Sequence, residues 1–114
     1  MAPKLHFLKT EQDFSNFKKS RTVNSANFRI RLFDPGNQNH PRFGFIIPKK
    51  TVKKVTDRNL IKRRTKAALL KHLPAIRPLD ILFFPKPGSI KLKFADLEKE
   101  LVDTLIKAKA YANR

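Results

Sequence analysis

Between Leu79 and Pro85 the chain reads Leu-Asp-Ile-Leu-Phe-Phe-Pro, almost without a polar break. A strand with one face in water alternates polar and apolar residues, whereas an unbroken apolar run needs cover on both faces. The segment is therefore expected as a central strand, and the other elements must gather around it. With 114 residues, the chain has room for one domain, residues 1–114, and one modest core. It contains ten Phe, one Tyr and no Trp, so Phe and the aliphatics must fill that core.

The remaining elements follow from periodicity and punctuation. Thr10 to Lys19 is expected as a short helix with Thr10 as N-cap, and Phe14 and Phe17 share one of its faces. Asn27 to Phe33 alternates Phe28, Ile30 and Leu32 against Arg29 and Arg31, the pattern of a half-buried strand with a cationic outer face. Asp34-Pro35-Gly36-Asn37 turns the chain, and Arg42 to Ile47 is expected as a second strand, antiparallel to the first and ended by Pro48. Asp57 is expected to cap a helix running to about Leu73, with Pro74 beyond it. Pro87-Gly88-Ser89 turns the chain again, and Phe94 to about Ala110 forms a last helix on the stripe Phe94, Leu97, Leu101, Leu105 and Ala108. The order is helix, strand, strand, helix, strand, helix: an α+β fold with a single small sheet packed with helices. The second and third strands flank a helix and can be parallel neighbours joined by a crossover.

Charge narrows the function. Lys and Arg number 26 against nine Asp and Glu, a net charge of +17 with a pI near 10.8. Such a field strains the compact state, and a polyanion relieves it, so nucleic acid is the expected partner. An anionic membrane is the alternative, but the cations are not confined to one long amphipathic helix. No run reaches the length of a membrane span, and Lys4, His6 and Lys9 interrupt any signal-peptide core, so a cytoplasmic location is expected. The absence of Cys excludes disulfides and thiolate chemistry. His6, His40 and His72 are scattered, the acids do not converge, and three Gly make no phosphate loop. No catalytic residue and no metal ligand is assigned.

Two constellations carry the binding argument. From Arg42 to Lys71 there are eleven Lys and Arg and one acid. At about 100° per residue, Arg58, Asn59, Lys62, Arg63 and Lys66 share one arc of the middle helix, while Ile61, Thr65, Ala68 and Leu69 share another that can face the sheet. Lys49, Lys50, Lys53 and Lys54 form a basic connector leading into it. Cations at a helix N-terminus oppose the macrodipole, and a bound phosphate would gain from both the cations and the free N–H groups. The alternative is a solvated basic face. The second constellation joins Phe14, Phe17 and Lys18 to Arg29, Arg31 and Arg42, suited to stacking and neutralising single-stranded RNA. Two Phe at helical spacing suit a core equally well.

Phe43-Gly-Phe-Ile-Ile-Pro-Lys-Lys50, followed by Arg58-Asn-Leu-Ile-Lys-Arg-Arg-Thr-Lys66, resembles the bacterial ribonuclease P protein subunit. That family's signature is a Gly-containing strand ending in Lys-Lys, then an Arg-Asn-Arg-x-x-Lys-Arg helix. The resemblance implies an auxiliary subunit of an endoribonuclease whose RNA, with its Mg²⁺, removes the 5′ leader of precursor tRNA; the protein alone is expected to hold no cofactor. It assigns catalytic-RNA binding to Arg58, Asn59, Lys62, Arg63 and Lys66 together with the connector lysines. It assigns leader binding to Phe14, Phe17, Lys18, Arg29, Arg31 and Arg42. It also implies a left-handed βαβ crossover, which the element order allows. Leu60 stands where the motif has its second Arg, Lys66 where Arg is typical, and Lys18 where a second cleft aromatic is common. A structural RNA-binding protein, such as a small ribosomal protein, would suit the size and charge alone.

Overall fold

The computed structural model describes residues 5–8, 20–36 and 38–111. The expected helix at Thr10–Lys19, with Phe14, Phe17 and Lys18, lies outside them. The described elements run β1 (His6–Phe7), β2 (Arg21–Asn24), β3 (Phe28–Phe33), β4 (Arg42–Phe45), α1 (Val55–His72), β5 (Asp80–Pro85) and α2 (Phe94–Lys107). Short 3₁₀ turns at Leu73–Ala75 and Pro87–Lys91 follow α1 and β5.

The five strands form one sheet in the order β1-β4-β5-β3-β2. The apolar run does take the centre, and all its residues but Phe84 are buried. β4 runs antiparallel to β3, as the sequence suggests, but is not its neighbour. β5 lies between them, antiparallel to β3 and parallel to β4, so α1 is the crossover joining parallel neighbours. The two-sided apolarity of β5 outweighs the local turn, because a hairpin of β3 with β4 would push β5 to an edge and expose it. β1 and β2, at the two edges, went unread: two residues of one and the polar Arg-Thr-Val-Asn of the other carry no periodic signal.

Pairing sorts the strand residues onto two faces. Ile30, Phe83 and Phe45 lie in one row, and Leu32, Ile81 and Phe43 in the next. These pack with Ala68 and Leu69 of α1 and Leu97, Leu101 and Leu105 of α2 into the main core. Each fully buried Phe or Leu there contributes about 1.5–3 kcal/mol. The alternate rows, Arg29 with Phe84, Arg31 with Leu82 and Gly44, and Phe33 with Asp80 and Arg42, form the other face. Leu8 and Leu82 are buried on it, beside Phe33, Ile46 and Phe84.

Both helix boundaries differ from expectation. α1 begins at Val55, with Lys54 in the capping position and no side-chain cap, and Asp57 lies within its first turn. α2 stops at Lys107 because Lys109 turns left-handed at φ 60°. The Lys109 and Ala110 N–H groups then close onto the Ile106 and Leu105 carbonyls at 3.0 and 2.8 Å, a Schellman ending with Lys where Gly is usual.

Candidate nucleic-acid interface

Four residues of α1 are buried, Ile61, Thr65, Ala68 and Leu69, and they are the ones assigned to its packing face. That anchors the helix rotationally and turns the other arc outward. Asn59, Arg63 and Lys66 are exposed, and Lys62 is partly covered. The Lys66 ammonium lies 5.0 Å from the centre of the Phe7 ring and 6.0 Å from that of Phe45, a cation–π arrangement that tethers it over the β1–β4 edge. Arg58 points back toward the connector, and its Nη1 donates to the Val52 and Lys53 carbonyls at 2.8 and 3.0 Å. Lys49, Lys50, Lys53 and Lys54 are all exposed. The turn that carries the first two is closed by Thr51 and Val52 N–H groups donating to the Pro48 carbonyl.

On the sheet face opposite α1 and α2, the register brings Arg29, Arg31 and Arg42 to the same side. They are not equivalent there. Arg42 grips the fully buried Asp80 with both Nε and Nη2, at 2.9 and 2.8 Å, and Gln38 adds a third bond to that carboxylate. Arg31 donates to the Ser20 hydroxyl. The Arg29 guanidinium carbon lies over the Phe84 ring, 4.7 Å from its centre. A depression of about 260 Å³ connects this face to the connector, lined by Arg29 and Phe84 on one side and Pro48 and Thr51 on the other. Arg29 and the turn that carries Lys49 and Lys50 therefore border one depression.

Two of the described acids, Glu98 and Glu100, are engaged by hydrogen bonds within the fold. Glu98 accepts from His72 Nε2 at 2.7 Å and from Lys71, and these bonds hold its carboxyl below the usual range. Burial pushes Glu100 up, but hydrogen bonds from Ser25 and Asn27, with Lys86 nearby, outweigh it and leave its pKa lowered. Among the described residues, no group of three or more His, Asp or Glu could hold a metal ion.

This geometry sits in a chain whose residues 2–109 match the Ribonuclease P family model. The chain belongs to the ribonuclease P protein family. It is 31% identical over 112 residues to the ribonuclease P protein component of Lactobacillus johnsonii, covering 96% of this chain and 92% of that one. The Synechocystis ribonuclease P protein component is 30% identical over 101 residues, 87% of this chain and 82% of the relative. The fold matches the solved Staphylococcus aureus RNase P protein with a TM-score of 0.84 at 24% identity, covering 95% of this chain and 99% of that one. It matches the RNase P protein of Thermotoga maritima with a TM-score of 0.78 at 21% identity, covering 90% of this chain and 96% of that one.

Within this ribonuclease P protein, two features of the surface escaped the sequence reading. Phe84 was counted as core in a continuous apolar run, yet it is the residue of β5 that is only partly covered and stacks under Arg29. Alternation of Asp80, Leu82 and Phe84 against Ile81 and Phe83 was the available signal. Arg64 belongs to neither constellation. It donates to the Leu92 carbonyl at 2.9 Å and ties α1 to the turn before α2. No helix of the described residues is long and apolar enough to cross a membrane.

Proposed function

We propose that this chain is the protein subunit that assists the catalytic RNA of ribonuclease P in removing the 5′ leader of precursor tRNA. Family membership carries the coarse statement, a subunit of an endoribonuclease holoenzyme partnered with an RNA. The finer reading rests on one observation, the depression that Arg29 and Phe84 share with the connector turn at Pro48 and Thr51.

In this reading, the outward arc of α1 and the connector dock the catalytic RNA. Lys62, Arg63, Lys66 and the four connector lysines neutralise phosphates, and Asn59 adds a neutral donor and acceptor. The sheet face that carries Arg29 takes the unpaired leader. Arg29, stacked on Phe84, offers a flat cationic platform suited to bases and phosphates alike. Phe14, Phe17 and Lys18 are assigned to the same strand of RNA on the family resemblance. Cleavage belongs to the RNA and its Mg²⁺; the protein holds the leader beside the scissile bond and screens phosphate repulsion.

The test is reconstitution. The chain mixed with a bacterial ribonuclease P RNA at low Mg²⁺ should restore leader removal that the RNA alone performs poorly. Failure to stimulate that RNA, with tight binding to unrelated structured RNAs, would replace the reading with a general RNA-binding role.

A further inference from the structure

A helix start normally carries Ser, Thr, Asp or Asn, whose oxygen accepts from a free N–H group. Lys54 occupies that place in α1 and makes no such bond. The segment before it carries four exposed lysines and no carboxylate, so charge repulsion favours its spreading. Three contacts oppose that. Val52 is buried at 2% exposure, the Pro48 carbonyl accepts from Thr51 and Val52, and the Arg58 guanidinium clasps the carbonyls of Val52 and Lys53. The Arg58 N–H meanwhile donates to the Lys54 carbonyl at 3.1 Å, so one residue grips the chain on both sides of the helix start. An Asp cap would order this junction too, but it would put a negative charge where a polyanion must approach. An arginine clasp orders it without adding a second carboxylate to that of Asp57 in the first turn.

We infer that Arg58 is a positioning residue: it fixes Lys53 and Lys54 at the mouth of α1 and serves RNA docking through them instead of contacting the RNA itself. The inference rests on the docking role proposed for this end of the molecule. It also departs from the assignment of Arg58 as a direct RNA ligand.

A double-mutant cycle with bacterial ribonuclease P RNA as the probe decides it. Arg58→Ala keeps a strong helix former at the position, so α1 is retained. Alone, it should weaken RNA binding on the order of tenfold, and in the Lys53→Ala, Lys54→Ala background by less than about twofold, the non-additivity of groups that act as a unit. In the free protein, amide exchange from Val52 to Asp57 should accelerate in Arg58→Ala but not in Arg63→Ala, with core amides of β5 unchanged. Equal losses in both backgrounds, with a salt slope reduced by about 0.7–0.9, would make Arg58 a phosphate ligand and overturn the inference. Unchanged connector exchange in the free variant would overturn it as well. Failure of the native protein to bind that RNA would instead remove the docking role, whatever the exchange shows.

Discussion

Asp80 is fully buried at the first position of the central strand, and its carboxylate is matched by Arg42 in two bonds and by Gln38 in a third. Removing one member of a buried pair leaves the other charge uncompensated, which costs about 3–5 kcal/mol. Arg42→Ala should therefore lower unfolding free energy by roughly 3 kcal/mol in urea titrations, since Arg42 is itself partly exposed. A variant of native stability that bound leader RNA poorly would mean the arginine works on RNA and not on Asp80. Glu98 and Glu100 make a second prediction. Both carboxyls are held below the ordinary glutamate range, so their ionised forms stabilise the fold. That contribution is fully present above the unfolded value and is lost as pH falls through the lowered folded values. The urea midpoint should hold from neutral pH down to about 5 and then decline, and Glu100→Gln should decline less steeply below that point.

At the scale of elements, what could be read depended on how local the determining forces were. The packing face of α1 was legible because 3.6-residue spacing alone separates Ile61, Thr65, Ala68 and Leu69 from the cations. Its start was not, because Lys54 is no capping residue and the clasp from Arg58 reaches backward from inside the helix. The parallel partnership of β4 with β5 was legible from the helix between them, but the separation of β3 from β4 was not, because a turn signal is local whereas the demand of β5 for two flanks spans the fold. The basic residues of the interface were legible as types, but nothing in the spacing said that Arg42 would be absorbed by Asp80. Two tests belong here. Lys109 sits left-handed at the end of α2, a conformation that costs a non-Gly residue about 1 kcal/mol. Lys109→Gly should raise stability by about 0.5–1 kcal/mol in thermal melts; lowered stability would mean its side chain packs. Lys62→Ala with Arg63→Ala should reduce the salt slope of RNA binding by about 1.5–2, and an unchanged slope would mean that this arc is merely solvated.

The whole molecule carries a net charge of +17, while four of its nine acids lie in α2 at Asp96, Glu98, Glu100 and Asp103. Self-repulsion of that size destabilises the compact state and is screened by salt. Raising NaCl should therefore raise the melting temperature of the free protein while weakening its grip on RNA, two responses of opposite sign from one cause. A melting temperature that fell with salt would show that the cations are already balanced within the fold. The strand order has a consequence for synthesis. β3 and β4 share no hydrogen bonds; each pairs with β5, which lies about fifty residues after the start of β3. Contacts so distant in sequence are slow to form. A nascent chain leaving the ribosome can complete α1 before it can complete the sheet, because the middle strand emerges after both of its neighbours. The cationic helix can thus precede the finished fold while the chain is still beside the RNA of the ribosome.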